Sequence, residues 1–250
     1  MQELFSLAGK KAIVTGAARG LGRAMLEALH EAGAAVAILD ILDEMHQTAR
    51  EVGASGPPVH AFKADLADRA RIRDAFRQAV DALGGLDILI NNAGMHVRKS
   101  VVDHQDEDWD RIVAVNMTAP FVMAQLAAPI MLRQGSGKIL NVASMLAFFG
   151  GVNGSSYSAT KGAVAQLTKS MSNEWTKHGI CVNAIAPGYL DTDLNRVMPD
   201  DFRKTVLMRL PKGHFAHPSE LKGIVVFLCS PASDYISGAV IPVDGGYSAR

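Results

Sequence analysis

Tyr157 and Lys161 stand in the run Tyr157-Ser-Ala-Thr-Lys161, a spacing that puts both side chains on one face of a helix. A phenol at its ordinary pKa near 10 is a poor base at neutral pH, but an adjacent ammonium favours the phenolate. Tyr157 could then take the proton of an alcohol, or return one to a carbonyl, beside a group that exchanges a hydride. Ser144, thirteen residues earlier, offers a hydroxyl to the oxygen where charge develops. Taken alone, Tyr with Lys at i+4 is an ordinary surface pair. It gains meaning only if a cofactor site lies nearby.

A run that could make such a site is Thr15-Gly16-Ala17-Ala18-Arg19-Gly20-Leu21-Gly22, which joins a β-branched stretch to a helical one. Gly16, Gly20 and Gly22 let the backbone of this loop, which also carries Arg19 and Leu21, turn sharply and approach a pyrophosphate at the helix N-terminus. The same glycines read equally as a tight turn. Asp40 ends the second apolar run, where an acid accepts hydrogen bonds from an adenosine ribose and repels a 2′-phosphate. Arg19 could instead pair with that phosphate, but Ile41 and Leu42, not cations, follow Asp40, so NAD is expected over NADP. Asp65, followed by Leu66, is open to two readings: an adenine contact, or an acid at a helix N-terminus. Asn91-Asn92-Ala93-Gly94 bends the chain near the cofactor, Asn116 sets an amide in an apolar helix, and Pro187-Gly188 follows a strand. Each alone could be a turn or a satisfied buried amide.

Seven short apolar runs predict the strands that position these residues: 11–15, 35–40, 59–63, 86–90, 138–142, 181–185 and 239–243. Between them, 21–31, 69–82, 106–133 and 159–177 carry helical periodicity, with Gly33, Gly84 and Gly179 placed to end helices. Continuous apolar strands need helices on both faces, which predicts a Rossmann-like, doubly wound parallel α/β sheet in a single domain over residues 1–250. The least regular stretch, about 188–218, reads as a substrate lid.

Twenty-five basic residues balance twenty-five acidic ones, so charge points to no nucleic acid, membrane or polyanionic partner. Cys181 and Cys229 sit in apolar surroundings without a metal-site pattern, and the N-terminus lacks an export signal, which fits a reduced cytoplasm. Residues 112–132 are uncharged and long enough to span a bilayer, but Asn116, Thr118, Pro120, Gln125 and Pro129 interrupt them and a charged turn precedes them. A buried or interface helix is expected there.

The ordered set Thr15-Gly16 with Gly20 and Gly22, Asn91 to Gly94, Asn116, Ser144, Tyr157 with Lys161, Pro187-Gly188 and Val243-Asp-Gly-Gly246 resembles a short-chain dehydrogenase/reductase from Lys10 to Gly246. The resemblance implies a catalytic tetrad of Asn116, Ser144, Tyr157 and Lys161, in which Asn116 holds a water that links Lys161 to solvent. It also implies a homotetramer, with the 106–133 and 157–178 helices packed against their copies. Within the family, Asn173 to His178, Asn183 to Tyr189, Ser144 to Phe148 and Gly246 to Arg250 are most similar to the hexonate dehydrogenases that act on gluconate or 2-dehydro-3-deoxygluconate. A sugar acid needs a cation and hydroxyl-binding groups, for which His96, Arg98, Asn153 and Tyr189 are candidates, with Arg98 first and a solvated loop arginine as its other reading. Alternatives are a 3-oxoacyl carrier-protein reductase, which normally calls for NADPH and a basic surface, a polyol or secondary-alcohol dehydrogenase, and a nucleotide-sensing regulator, which would dispense with Tyr157 or Lys161.

Overall fold

The computed structural model describes every residue except Met1, Asp193, Leu194, Arg196, Val197 and Arg250, so part of the expected lid and the last residue of the quoted ending lie outside the described residues. Seven parallel strands, β1 (Lys11–Thr15), β2 (Ala35–Asp40), β3 (Val59–Lys63), β4 (Ile88–Asn91), β5 (Gly137–Val142), β6 (Ile180–Pro187) and β7 (Val240–Val243), form one sheet in the order β3-β2-β1-β4-β5-β6-β7. The order reverses between β1 and β4, and the carboxyl ends of these strands open onto the crevice where such sheets bind ligands.

Residues alternate along each strand, so the sheet divides its apolar side chains between two cores. Val14, Val36 and Ile38 pack with Leu26 and Leu29 of α1 (Gly20–Glu31) and with Val225 and Leu228 of α8 (Lys222–Cys229). Ile13, Leu39 and Leu89 face the other way, against Ile72 and Phe76 of α3 (Arg69–Leu83) and Met123 and Met131 of α5 (Ala119–Gln134). Each such side chain contributes about 1.5–3 kcal/mol by leaving water.

Helix ends follow local chemistry. Asp68 caps α3 by accepting from the Ala70 and Arg71 amides at 2.8 and 3.3 Å, and Gly84 ends it in the left-handed region at φ 68°. The first three strands have the expected bounds and the other four differ by one or two residues, but three helices were not anticipated: α2 (Glu44–Val52), α7 (Asp200–Arg209) and α8. Helix α7 falls inside the stretch read as irregular; only Val206 of its ten residues is buried, so it shows no apolar stripe to read. Helix α6 (Ser155–Trp175) begins four residues before the expected Ala159, which places Tyr157 in its first turn and Lys161 in its second.

The 106–134 region is one helical run: α4 (Asp106–Val113), a π-helical turn (Ala114–Thr118) and α5, which continues through Pro129. Met123, Ala127 and Met131 are buried, while Phe121 and Leu132 are exposed. The run is therefore a core helix with one uncovered apolar face.

Candidate active site

The loop after β1 is pressed against the loop after β4. A Cβ on Gly16, whose φ is +67°, would lie 2.8 Å from the Ala93 Cα, and one on Gly22 would fall on the Gly16 carbonyl oxygen. Hydrogen bonds hold the two loops together: Asn92 Nδ2 donates to the Thr15 and Gly16 carbonyls, both at 2.9 Å. The Thr15 hydroxyl accepts from the Asn92 and Ala93 amides at 3.0 and 3.1 Å. Arg19 is the N-cap of α1 in an extended conformation and makes no side-chain cap, so the first amides of the helix face the crevice for an anion. Its guanidinium lies 4.0 Å from the Glu44 carboxylate.

Asp40 ends β2 almost fully buried. Its Oδ2 accepts from the Ala18 amide at 2.8 Å and its Oδ1 from the Leu42 amide at 3.0 Å, which fixes the carboxylate and leaves each oxygen a lone pair for a ribose hydroxyl. Of the two readings of Asp65, the helix cap belongs to Asp68. Asp65 lines the crevice with Leu66, bonded to the Ala67 amide at 2.9 Å and to Arg111 at 3.2 Å; the Ala67 bond first, and Arg111 with it, hold its pKa below the usual range. A continuous cavity of about 1410 Å³ runs from Asp40 and Leu66, past Gly20, Leu21 and Asn92 to Gly94, to Ser144, Tyr157, Pro187 and Gly188. An acid at one end, an uncapped helix N-terminus in the middle and Tyr157 at the other fit a dinucleotide.

Lys161 is only 4% exposed and donates from Nζ to the Val142 carbonyl at 2.7 Å, and burial brings its pKa down to about 8. The Nζ lies 5.6 Å from the centre of the Tyr157 ring. Burial raises the Tyr157 pKa, against the opposing pull of a hydrogen bond with Ser144 and the charge of Arg98. In the protein alone desolvation dominates and favours the neutral phenol; the expected help toward the phenolate from the Lys161 ammonium and the positive nicotinamide belongs to the cofactor-bound protein. Ser144 ends the β5 loop as the cap of a short turn, its Oγ accepting from the Leu146 amide at 3.2 Å. Asn116, on the π turn, donates to the Met95 carbonyl at 2.9 Å and accepts from the Met95 amide at 2.9 Å. The amide pins the loop after β4, and Gly94 is wedged between Asn116 and Lys161.

The family model described as enoyl-(acyl carrier protein) reductase, a short-chain dehydrogenase model, matches residues 16–248. The chain belongs to the short-chain dehydrogenase/reductase family. A 2-dehydro-3-deoxy-D-gluconate 5-dehydrogenase of Escherichia coli (strain K12) is 43% identical over 98% of each chain. A 3-oxoacyl-[acyl-carrier-protein] reductase of Aquifex aeolicus (strain VF5) is 36% identical over 96% of this chain and 98% of its own. The crystal structure of a gluconate 5-dehydrogenase from Burkholderia cenocepacia J2315, in complex with NADP and tartrate, superposes with a TM-score of 0.95 at 36% identity, over 100% of this chain and 99% of that one. As a short-chain dehydrogenase/reductase the protein is an oxidoreductase that acts on CH–OH groups and binds a nicotinamide cofactor.

The dehydrogenase closes the far end of its cavity with side chains from three distant segments. His96 stacks on Tyr157 with ring centres 4.5 Å apart and is hydrogen-bonded to the Asn153 backbone, while its Nε2 is buried toward Gly154 without a partner among the described residues. Burial first, and Arg98 second, bring its pKa down to about 4, so Nε2 is a neutral acceptor. Asn153 does not line the cavity: at φ +54° its side chain is exposed. Arg98 does, and donates to Asn195 Oδ1 at 3.2 Å. Tyr189 stacks on Phe215 and meets Tyr247 edge-on, each at 5.3 Å, and burial pushes its pKa up to about 12. Sequence reasoning missed Arg209, at the end of α7, and Tyr247, which both line this end. Tyr247 is placed by Asp244, which accepts from the Gly246 and Ser248 amides at 3.0 and 2.9 Å. The only sequence signal was the compact Val243-Asp-Gly-Gly246 turn just before it.

Proposed function

We propose that this protein is an NAD-dependent hexonate dehydrogenase, interconverting a secondary alcohol and a ketone on a sugar acid of the gluconate or 2-dehydro-3-deoxygluconate type. The observation that carries the reading is one wall on which a cation, Arg98, stands close enough to the phenol of Tyr157 for its charge to act there, with Ser144 and Tyr189 lining the same cavity. A carboxylate and several hydroxyls are what such a wall binds. The relatives named for 2-dehydro-3-deoxy-D-gluconate and gluconate support the class, as does the tartrate, a hydroxy acid, in one neighbour.

When bound, the nicotinamide supplies the hydride acceptor or donor. Tyr157 Oη takes the alcohol proton in oxidation and returns it in reduction. Ser144 donates to the substrate oxygen and holds its developing charge. Lys161, cationic below about pH 8, stabilises the phenolate once it forms. Arg98 holds the carboxylate and fixes which carbon lies beside Tyr157. The preference for NAD rests on Asp40, whose buried carboxylate would repel a 2′-phosphate, with Ile41 and Leu42 after it. A soluble cytoplasmic homotetramer is part of the reading: Trp109, Phe121 and Leu132 leave an apolar face on α4 and α5 for a second copy to cover. Residues 188–218, with α7, are proposed as the lid.

The test is reduction of NAD and of NADP, followed by absorbance at alkaline pH, with gluconate, 2-dehydro-3-deoxygluconate and sorbitol, beside an acetoacetyl thioester assayed in the reducing direction. Hexonate turnover with NAD is expected. NADP-linked reduction of the thioester alone would replace the reading by the carrier-protein reductase.

A further inference from the structure

Arg98 is not the sole guanidinium on the substrate wall. Arg209, at the last turn of α7, lines the same cavity, and its guanidinium lies 5.3 Å from the centre of the Tyr247 ring. Tyr247 meets Tyr189 edge-on at 5.3 Å, and Tyr189 lines the same cavity as both arginines. The Tyr189 hydroxyl feels the charges of both Arg98 and Arg209, so both guanidiniums lie within its electrostatic reach, and Arg98 also acts on Tyr157. Arg98 thus reaches both Tyr157 and Tyr189, and Arg209 reaches Tyr189, within one cavity.

We infer that Arg209 and Arg98 together form a two-guanidinium site for the substrate carboxylate, with Arg209 the determinant that selects acids over neutral polyols. The inference rests on the reading of the substrate as a sugar acid. In such an acid the carboxylate and C5 are separated by four carbon–carbon bonds of about 1.52 Å, a reach of about 5 Å in the extended chain. A carboxylate on the arginines would thus lie about 5 Å from a C5 carbinol at Tyr157. Guanidiniums bind carboxylates through paired, directional hydrogen bonds, so two of them fix orientation as well as charge. Because Arg209 is carried by α7 and Arg98 by the loop after β4, the carboxylate also bridges the lid segment to the sheet. A neutral polyol would make neither contact.

The experiment compares each hexonate with its primary amide, which keeps the hydroxyls and loses the charge, as the ratio of their kcat/KM values. The wild-type ratio is expected to be about 100 or more. Arg209→Gln is expected to lower it at least tenfold, chiefly through the KM of the acid with kcat within threefold, and Arg209→Lys to recover part of the loss. Circular dichroism and the melting temperature report whether the tail and α7 stay packed. If Arg209→Gln keeps the wild-type ratio within twofold, or slows acid and amide alike, Arg209 is a packing residue for Tyr247 and the inference falls while the sugar-acid reading stands. If the wild-type enzyme itself treats acid and amide alike, the sugar-acid reading falls and takes the inference with it.

Discussion

At the Asp40 end of the cavity the polar groups are held by backbone, whereas at the Tyr189 end side chains hold one another. Asp40 is fixed by the Ala18 and Leu42 amides and Asn92 by two carbonyls, within loops so close that Gly16 and Gly22 have no room for a Cβ. Tyr189, by contrast, rests on Phe215 and Tyr247, Tyr247 beneath Arg209, and His96 on Tyr157. Backbone contacts persist through most substitutions, so the first end is suited to a ligand that does not change. Side-chain contacts can be exchanged one at a time, so the second end can select a substrate while the fold stays put.

The catalytic junction between the two ends should show the largest effect. Tyr157→Phe removes the group that carries the proton and is expected to lower kcat by about 10³-fold in both directions, with cofactor binding, read by fluorescence titration, retained. The direction of its pKa shift sets the pH profile. Tyr157 is pushed up by burial, so alcohol oxidation, which needs the phenolate, rises with pH through the alkaline range, and carbonyl reduction, which needs the phenol, is strongest below it. A flat oxidation profile in kcat/KM would remove Tyr157 from the proton path.

Next in size is Gly22→Ala. Its Cβ falls on the Gly16 carbonyl and 2.5 Å from Asn92 Nδ2, so the glycine loop must move away from the loop after β4. A loss of about 1–3 kcal/mol in stability is expected, together with at least tenfold weaker cofactor binding. A substitution of similar size at the side-chain end should leave cofactor affinity intact, and equal effects at both ends would erase the distinction drawn here.

The two ends were also unequally legible in the sequence. Gly16, Gly20, Gly22 and Asp40 could be read because a sharp turn and a strand-ending acid are local demands written in consecutive residues. The strands could be read for a related reason, since each is a short, mainly apolar run between helical stretches, though β3 and β5 carry polar residues. Arg209 and Tyr247 could not, because their meaning depends on α7 and the tail arriving beside Tyr189, and α7 shows one buried residue in ten. Asn153 was misjudged because its left-handed backbone directs the side chain outwards, leaving only its backbone in contact with His96. Spacing places Lys161 near Tyr157 but does not reveal how deeply the phenol is buried, which sets the direction of its pKa in the protein alone.

Lys161→Met tests whether the junction is strained by its function. The folded pKa of Lys161 is about 8 against an ordinary 10.5, so between these values the unfolded chain binds the proton and the folded one does not. Stability attributable to this group therefore rises with pH across that window, and the buried ammonium costs stability below it. The variant is expected to be inactive yet to melt no lower than the wild type at pH 7, and to lack the wild-type gain between pH 8 and 10. A clearly lower melting temperature would mean that the Val142 hydrogen bond outweighs the cost of burying the charge.

The smallest effect is expected at the side-chain end, from His96→Phe. The new ring can keep the stack on Tyr157 while losing the Nε2 acceptor and the bond to the Asn153 backbone. Because Nε2 is closed off from the cavity, KM should change by less than about threefold, with kcat little changed. Stability carries a separate signature. The His96 pKa lies at about 4 in the folded protein against 6.5 ordinarily, so the unfolded chain takes up the proton first as pH falls. Wild-type stability should therefore decline between pH 6.5 and 4, by up to about 1.4 kcal/mol per pH unit from this group. Urea unfolding of the variant at pH 7 and pH 4.5 should show a smaller decline. If both proteins lose the same stability, the ring is solvated and His96 holds its place by stacking alone.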